Sequence, residues 1–196
     1  MILGFTGTFG AGKGTVIEII AREYGAPVFS LSDEIRAECK RLGIGLQRDN
    51  LLKVGNGMRK KRGGGYWAKK VAEKIKKKIK EREKALVCID SIRAQEEVEE
   101  LRRQFGKEFK LVAVDAPVEI RYQRVRKRAR AGEHSMTFEE FKASEMREQS
   151  AKGGEASIRK TMGIADIFFD NIGNQAALQR KIGNLVPGLS NLTSPF

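Results

Sequence analysis

A chain of 196 residues with 40% apolar, 32% charged and 7% aromatic side chains can bury a core, which excludes a disordered tail, a collagen and a disulfide knot. Its 38 Lys and Arg against 25 Asp and Glu leave a formal charge of +13, so the partners it attracts are anions, phosphate-bearing ligands first. Two cysteines, Cys39 and Cys88, and a single histidine, His134, cannot furnish a Cys/His zinc cage, and any metal has to rest on oxygen.

In chain order, the apolar run 2–6 reads as a first strand and is followed by a glycine-rich turn and the apolar helix carrying Val16, Ile17, Ile19 and Ile20. A second strand is expected over 26–31. Helices follow, the clearest over 66–83, where Trp67, Val71, Ile75 and Ile79 recur every fourth residue as a core stripe and lysines fill much of the remaining surface. Residues 59–84 hold 13 Lys and Arg against 3 Glu, and residues 121–130 hold six basic residues and no acid. Most of the lysines over 74–84 read as a solvated helix face. Further strands are expected over 85–90, 109–115 and 165–170, and short strands alternating with amphipathic helices imply a parallel sheet covered by helices on both faces. The glycines at 63–65 and at 153–154 read as joints, and the tail 187–196 as loosely ordered. No stretch approaches the roughly 20 apolar residues of a membrane span, and the first residues lack the basic flank of a signal peptide, so a cytoplasmic protein with reduced thiols and no membrane partner is expected.

The turn after the first strand reads Gly7-Thr8-Phe9-Gly10-Ala11-Gly12-Lys13-Gly14-Thr15. Strand, glycine-rich loop, lysine and helix come in the order of a P-loop, which binds a nucleoside triphosphate. Gly10, Ala11, Gly12, Lys13, Gly14 and Thr15 would aim backbone N–H groups at phosphate oxygens, with the helix N-terminus adding its positive end. Lys13 places a mobile ammonium on the β and γ phosphates. Gly14 occupies the usual Ser/Thr slot, so the Mg²⁺ hydroxyl is assigned to Thr15. The third strand ends in Asp90, the candidate anchor of the metal's water shell, with Asp115 at the end of the fourth strand as a competitor; Arg93, three residues past Asp90, favours the former. Cys88 reads as apolar strand filler, Cys39 as a helix residue and His134 as an exposed residue of a mobile segment.

On these residues the chain resembles the nucleoside monophosphate kinase and dephospho-CoA kinase group of P-loop proteins, with the closest pattern in the archaeal-type adenylate-kinase-related members. The segment Ser32-Asp33-Glu34-Ile35-Arg36 is similar to the stretch carrying an acceptor-phosphate arginine, which falls on Arg36 with Asp33 beside it. Asp90-Ser91-Ile92-Arg93 resembles that group's DGFPR, one residue shorter and without its Pro. Asp115-Ala116-Pro117 followed by Arg124 and Arg128 resembles the strand and helix that feed its lid. The run Asp166-Ile167-Phe168-Phe169-Asp170-Asn171-Ile172-Gly173 looks more like dephospho-CoA kinases.

The resemblance implies a three-layer P-loop kinase fold over 1–186. Its features are a five-stranded parallel sheet, acceptor-binding helices at about 31–84, a small mobile lid at about 124–150 and a tail at 187–196. It implies ATP and Mg²⁺ as cofactors, a nucleotide phosphate acceptor between the 33–60 helices and the sheet edge, and a lid that lacks the cysteine quartet of zinc-bearing adenylate kinases.

Phosphoryl transfer passes through a highly anionic transition state, which Lys13, Arg36, Arg93, Arg124, Arg128 and Mg²⁺ together would stabilise. The i to i+4 spacing puts Arg124 and Arg128 on one face of their helix and Arg121, Arg126, Lys127 and Arg130 elsewhere, the last three towards solvent. Arg147 has two readings, a return-side lid arginine and a helix-surface ion pair. The leading function is phosphoryl transfer from ATP to a nucleoside or deoxynucleoside monophosphate, whose acceptor oxyanion needs no general base. One alternative is a dephospho-CoA kinase, with Asp33 as base for a ribose hydroxyl. The other is a P-loop ATPase acting with RNA or a ribosomal partner, motivated by the charge and opposed by the lack of an aromatic stacking platform. No signature over 43–57 identifies an acceptor base.

Overall fold

The computed structural model describes residues 1–79, 86–128, 136–149, 157–173 and 175–185. Residues 129–135 of the expected lid, with Arg130 and His134, the glycines at 153–154 and the tail at 187–196 lie outside these residues.

The apolar runs become β1 (Ile2–Gly7), β2 (Val28–Ser30), β3 (Val87–Asp90), β4 (Phe109–Asp115) and β5 (Ile167–Asp170), all parallel in the spatial order β2-β3-β1-β4-β5. β2 starts two residues later than the sequence reading. Pro27 lends its carbonyl to the Cys88 N–H at 3.0 Å but has no N–H to return, so the ladder can begin only at Val28. β5 likewise begins at Ile167. The helices are α1 (Lys13–Tyr24), α2 (Leu31–Arg41), α3 (Arg48–Arg62), α4 (Tyr66–Ile79), α5 (Gln95–Phe105), α6 (Val118–Arg128), α7 (Phe138–Gln149), α8 (Ile158–Met162) and α9 (Gln175–Leu185).

Side chains alternate across each strand, so the sheet has two apolar faces, each covered by helices. Leu3, Phe5, Cys88, Val112 and Val114 pack against Val16 and Ile20 of α1 and Leu178 and Ile182 of α9. On the other face Ile2, Val87, Ile89 and Leu111 meet Leu31 and Ile35 of α2, Trp67, Val71 and Ile75 of α4 and Leu101 of α5. Each of the three α4 side chains is essentially fully buried, worth about 1.5–3 kcal/mol apiece for the aliphatic ones. The Trp67 indole N–H donates to Gly55 O at 3.1 Å, pinning α4 to α3.

Lys74, Lys76, Lys77 and Lys78 of α4 are exposed, as expected, and several of the helix's lysines also make surface contacts. Lys74 reaches Glu34 at 2.5 Å and Lys70 the same carboxylate at 3.9 Å, Lys76 donates to Gln104 at 2.6 Å, and Lys78 lies over the Phe29 ring. The predicted joint between α3 and α4 holds: a Cβ at Gly64 or Gly65 would run into Glu96 or Glu100 of α5. All five strands end along one edge. Ser30 sits opposite Asp90, Gly7 opposite Val114 and Asp115 opposite Asp170, so the loops that follow converge where ligands of parallel α/β sheets bind.

Candidate active site

The loop between β1 and α1 is shaped by Gly10 and Gly12, at φ 82° and 85°, in the left-handed region that other residues avoid. Its carbonyls are held from outside. Arg121 of α6 donates to Phe9 O at 3.2 Å, while Ala11 O accepts from Arg124 at 3.2 Å and from the Asn171 amide at 2.7 Å. Ala11 N–H turns back to Thr8 O. Among the described residues the N–H groups of Gly10, Gly12, Lys13, Gly14 and Thr15 meet no backbone acceptor, and the first N–H closing back onto the loop is that of Val16, to Gly12 O. Pulling the carbonyls outward leaves donors facing the opening, at the positive end of a twelve-residue helix.

Lys13 is paired with the Asp90 carboxylate. Burial first, and the Arg93 charge second, push its ammonium down to about 7 even beside that carboxylate. Asp90 is further fixed by Ser91, through its N–H at 2.6 Å and its hydroxyl at 3.2 Å. Ser91 holds φ 67°, a left-handed conformation uncommon outside glycine, at the position where the DGFPR pattern has glycine. The competing Asp115 is otherwise engaged: it accepts from Thr8 Oγ1 at 2.5 Å and from Ala116 N–H at 2.9 Å, and lies 3.7 Å from Arg121. Asp115 therefore anchors the start of the loop, and Asp90 is the carboxylate that faces its lysine. Thr15 is exposed on the first turn of α1.

A second group of charges surrounds Arg93. Its backbone is clamped, the N–H by Glu97 at 2.9 Å and the carbonyl by Thr161 Oγ1 at 2.9 Å. Its guanidinium has no hydrogen bond or ion pair among the described residues. Burial and the charges of Arg48, Arg59 and Arg36 lower its pKa, with only Glu97 opposing. Arg59 and Glu97 form a buried ion pair at 2.7 Å, with side chains 3% and 0% exposed. Arg36 pairs with Asp33 one turn away at 2.7 Å on the exposed face of α2. Of this pair, only the Arg36 charge acts on Arg93.

The arginines of α6 divide differently from the helical-face argument. Arg121, expected to point elsewhere, is buried and holds both the loop and Glu145 of α7 in a two-pronged ion pair. Arg124 bonds Ala11 O and, at 2.9 Å, Asn171 O, bracing the loop against the exit of β5. Arg128 lies with its Cζ 5.4 Å from the centre of the Phe9 ring. Arg126 and Lys127 are exposed, as expected. Arg147 falls in α7, and its side chain lies outside the described residues. Cys39 and Cys88 are buried, and burial pushes the Cys88 thiol up to about 12, so it is inert filler at neutral pH. Sequence reasoning missed Arg48, Arg59, Glu97 and Asn171. A signal existed for one of them: Glu97 stands in the first turn of a helix just past Arg93, where a carboxylate caps free N–H groups.

The loop and its setting agree with what the chain is similar to. A family model described as an AAA domain matches residues 6–142. A UPF0200 protein of Methanosarcina mazei is 36% identical over 85% of this chain and 86% of its own. The chain belongs to this AAA-domain family of P-loop proteins and to its UPF0200 members. A UPF0200/UPF0201 protein of Archaeoglobus fulgidus is 35% identical over 94% of the chain, which spans about half, 54%, of that relative's length. Among solved structures, TT1252 from Thermus thermophilus superposes with a TM-score of 0.59 at 21% identity, covering 99% of this chain and 98% of that one. A shikimate kinase from Bacteroides thetaiotaomicron gives 0.55 at 15% identity over 94% and 96%, and a gluconokinase from Sinorhizobium meliloti gives 0.52 at 14% over 98% and 97%. The fold is that of P-loop kinases, and among the described residues no helix is long and apolar enough to cross a membrane.

Proposed function

We propose that the chain transfers the terminal phosphoryl group of ATP to a small acceptor that already carries a phosphate, a nucleoside or deoxynucleoside monophosphate. The observation that carries this reading is Arg93, a half-buried guanidinium with no partner among the described residues, set among the charges of Arg48, Arg59 and Arg36 and next to the loop lysine. Such an arrangement is unfavourable without an anion and favourable with one.

The triphosphate lies on the N–H groups of Gly10 and of residues 12–15, the Ala11 N–H being engaged by Thr8 O, with Lys13 moving from Asp90 to its β and γ phosphates. The donor set fits a hard divalent cation: the Thr15 hydroxyl and the Asp90 carboxylate are oxygen ligands at one sheet edge, and no group of three or more Asp, Glu, His or Cys among the described residues offers a rival site. Held by these residues, Mg²⁺ would supply positive charge to offset the negative charge of the phosphates. Arg93 and Arg36 orient the acceptor monophosphate, whose oxygen attacks the γ phosphorus while the bond to the β–γ bridging oxygen breaks and ADP leaves with that electron pair. No proton need move. That condition favours a phosphate acceptor over a hydroxyl, because Asp33, the carboxylate available as a base, is exposed and tied to Arg36.

The test is ADP formation by the pure protein with ATP·Mg²⁺ and a panel of AMP, CMP, UMP, GMP, their deoxy forms and dephospho-CoA. Turnover with one or more monophosphates is expected. Turnover with dephospho-CoA alone moves the reading to a hydroxyl acceptor, and hydrolysis indifferent to every small acceptor moves it to an ATPase working with a macromolecule such as RNA. In the monophosphate case Arg36→Ala and Arg93→Ala raise the acceptor KM.

A further inference from the structure

Among the described residues two buried hydroxyls make no hydrogen bond, Thr6 Oγ1 of β1 and Ser157 Oγ just before α8, in residues 0% and 6% exposed. They meet in one corner of the molecule. Thr6 pairs in register with Ala113 of β4, and Ala113 packs against Ile158 and Met162, so Thr6 points at α8 from the same face of the sheet. The Ile92 N–H donates to Phe5 O at 3.3 Å, which brings residues 92 and 93 alongside the end of β1. Thr161 Oγ1 lies 2.9 Å from the carbonyl oxygens of both Arg93 and Ser157, which joins α8 to the same place. The Arg93 guanidinium is a third group there with no partner among the described residues. We propose that Thr6, Ser157 and Arg93 together seat the phosphate of the acceptor, the two hydroxyls and the guanidinium donating to its oxygens. The proposal rests on the reading of the chain as a kinase with a phosphate-bearing acceptor, and it adds two residues that neither the motifs nor the resemblance pointed to.

Three observations carry it. The first is cost. A buried hydroxyl without a partner is unfavourable, and Val would fill the place of Thr6 in a strand with the same shape and no polar group to leave unmet. Ser157 stands at the N-cap of α8, yet its side chain does not cap the helix. The second is that the carboxylates around the corner are engaged. Glu97 takes Arg59 on one oxygen and the N–H groups of Arg93 and Ala94 on the other. Asp90 holds Lys13 and Ser91, and Asp115 holds Thr8 and the Ala116 N–H. The third is fit. A phosphate monoester brings nearly two negative charges and three accepting oxygens, and a guanidinium with two hydroxyls offers it charge and donors at once. The charges of Arg36, Arg48 and Arg59 act on the same spot. A neutral hydroxyl acceptor would leave that charge unmet. The corner also adjoins the donor loop: Thr6 precedes Gly7, where the loop begins, and Arg93 follows Asp90, which holds the loop lysine.

The experiment fills the donor site of the full chain with the β,γ-imido analogue of ATP and Mg²⁺, then titrates inorganic phosphate by calorimetry. Urea unfolding of the ligand-free protein is measured beside it. The wild type is expected to bind phosphate in that complex. Thr6→Val and Ser157→Ala should each weaken this binding about fivefold or more, whereas Thr6→Ser, which keeps the hydroxyl, should stay within about twofold. The same two variants should unfold at the wild-type urea concentration or above it, because each removes a polar group that had no partner. Thr161→Val, the same exchange at a hydroxyl that is bonded, should unfold at lower urea. The proposal is overturned if either variant keeps the wild-type phosphate affinity, if either unfolds at lower urea as Thr161→Val does, which would mark a structural hydroxyl, or if the wild type binds no phosphate. Failure of the kinase reading shows separately, as no ADP formed with any acceptor, and leaves these titrations readable. Where a monophosphate acceptor is found, both variants should raise its KM about tenfold with the ATP KM within about twofold and kcat within about threefold, the split expected of groups that hold the acceptor.

Discussion

Lys13 carries the sharpest prediction at the scale of one residue. Its ammonium is held at about 7 by burial and the Arg93 charge, down from an ordinary 10.5, so at pH 8 most molecules have it neutral. Phosphate favours the charged form and raises that value again. Binding of the imido analogue at pH 8 should therefore take up close to one proton, read as a dependence of the calorimetric enthalpy on the buffer's ionisation heat, and affinity should fall up to about tenfold for each pH unit above 7. For folding the sign is opposite: between about 7 and 10.5 the unfolded chain binds this proton and the native chain does not, so Lys13's contribution to stability rises with pH. Lys13→Met should bind weakly with no proton uptake. Uptake that persists in that variant assigns the proton to another group. This lysine was legible because a phosphate loop is a local pattern, written in nine consecutive residues.

At the scale of elements, the packing of α3 against α5 beside Arg93 depends on one buried pair. Arg59 of α3 and Glu97 of α5 are almost wholly buried, and Glu97's second oxygen caps the N–H groups of Arg93 and Ala94. Removing one partner leaves a charge stranded in the interior. Glu97→Ala should cost about 3–5 kcal/mol in urea unfolding, while joint replacement, Arg59→Met with Glu97→Leu, should recover most of it. Equal loss in the single and double variants would place the cost in the N–H caps, outside the ion pair. Such contacts mark the limit of legibility. The strands, the α4 core stripe and the loop lysine are periodic or local and could be read directly, with β2 shortened only by Pro27. Arg59 and Glu97 lie 38 residues apart and Asn171 lies 160 from Ala11, and nothing in either neighbourhood names its partner. Arg121 was misplaced for a plainer reason. It stands three residues before Arg124 and seven before Arg128, so helical spacing puts it on their face, and Arg121 and Arg124 both bond carbonyls of the loop.

For the molecule as a whole, the charge of +13 needs an account larger than one site. Lys70 and Lys74 of α4 face one carboxylate, Glu34, whereas Lys76 and Lys78 meet the uncharged Gln104 and the Phe29 ring and keep their full charge at an exposed surface. The net excess produces a long-range positive potential, and its consequence under the proposed function is the encounter rate of a nucleotide carrying several negative charges. Steering acts on association and is screened over about 10 Å at 0.1 M salt. Stopped-flow binding of a fluorescent ATP analogue should therefore show an association rate falling about tenfold between 20 and 300 mM salt, with dissociation changing less than twofold. Replacing the exposed Lys60, Lys69 and Lys77 with Gln should flatten that salt slope and leave kcat unchanged, because these side chains belong to α3 and α4 and enter only through the summed field. If the slope stays steep in that variant, the salt sensitivity arises from direct phosphate contacts at Lys13 and the arginine cluster.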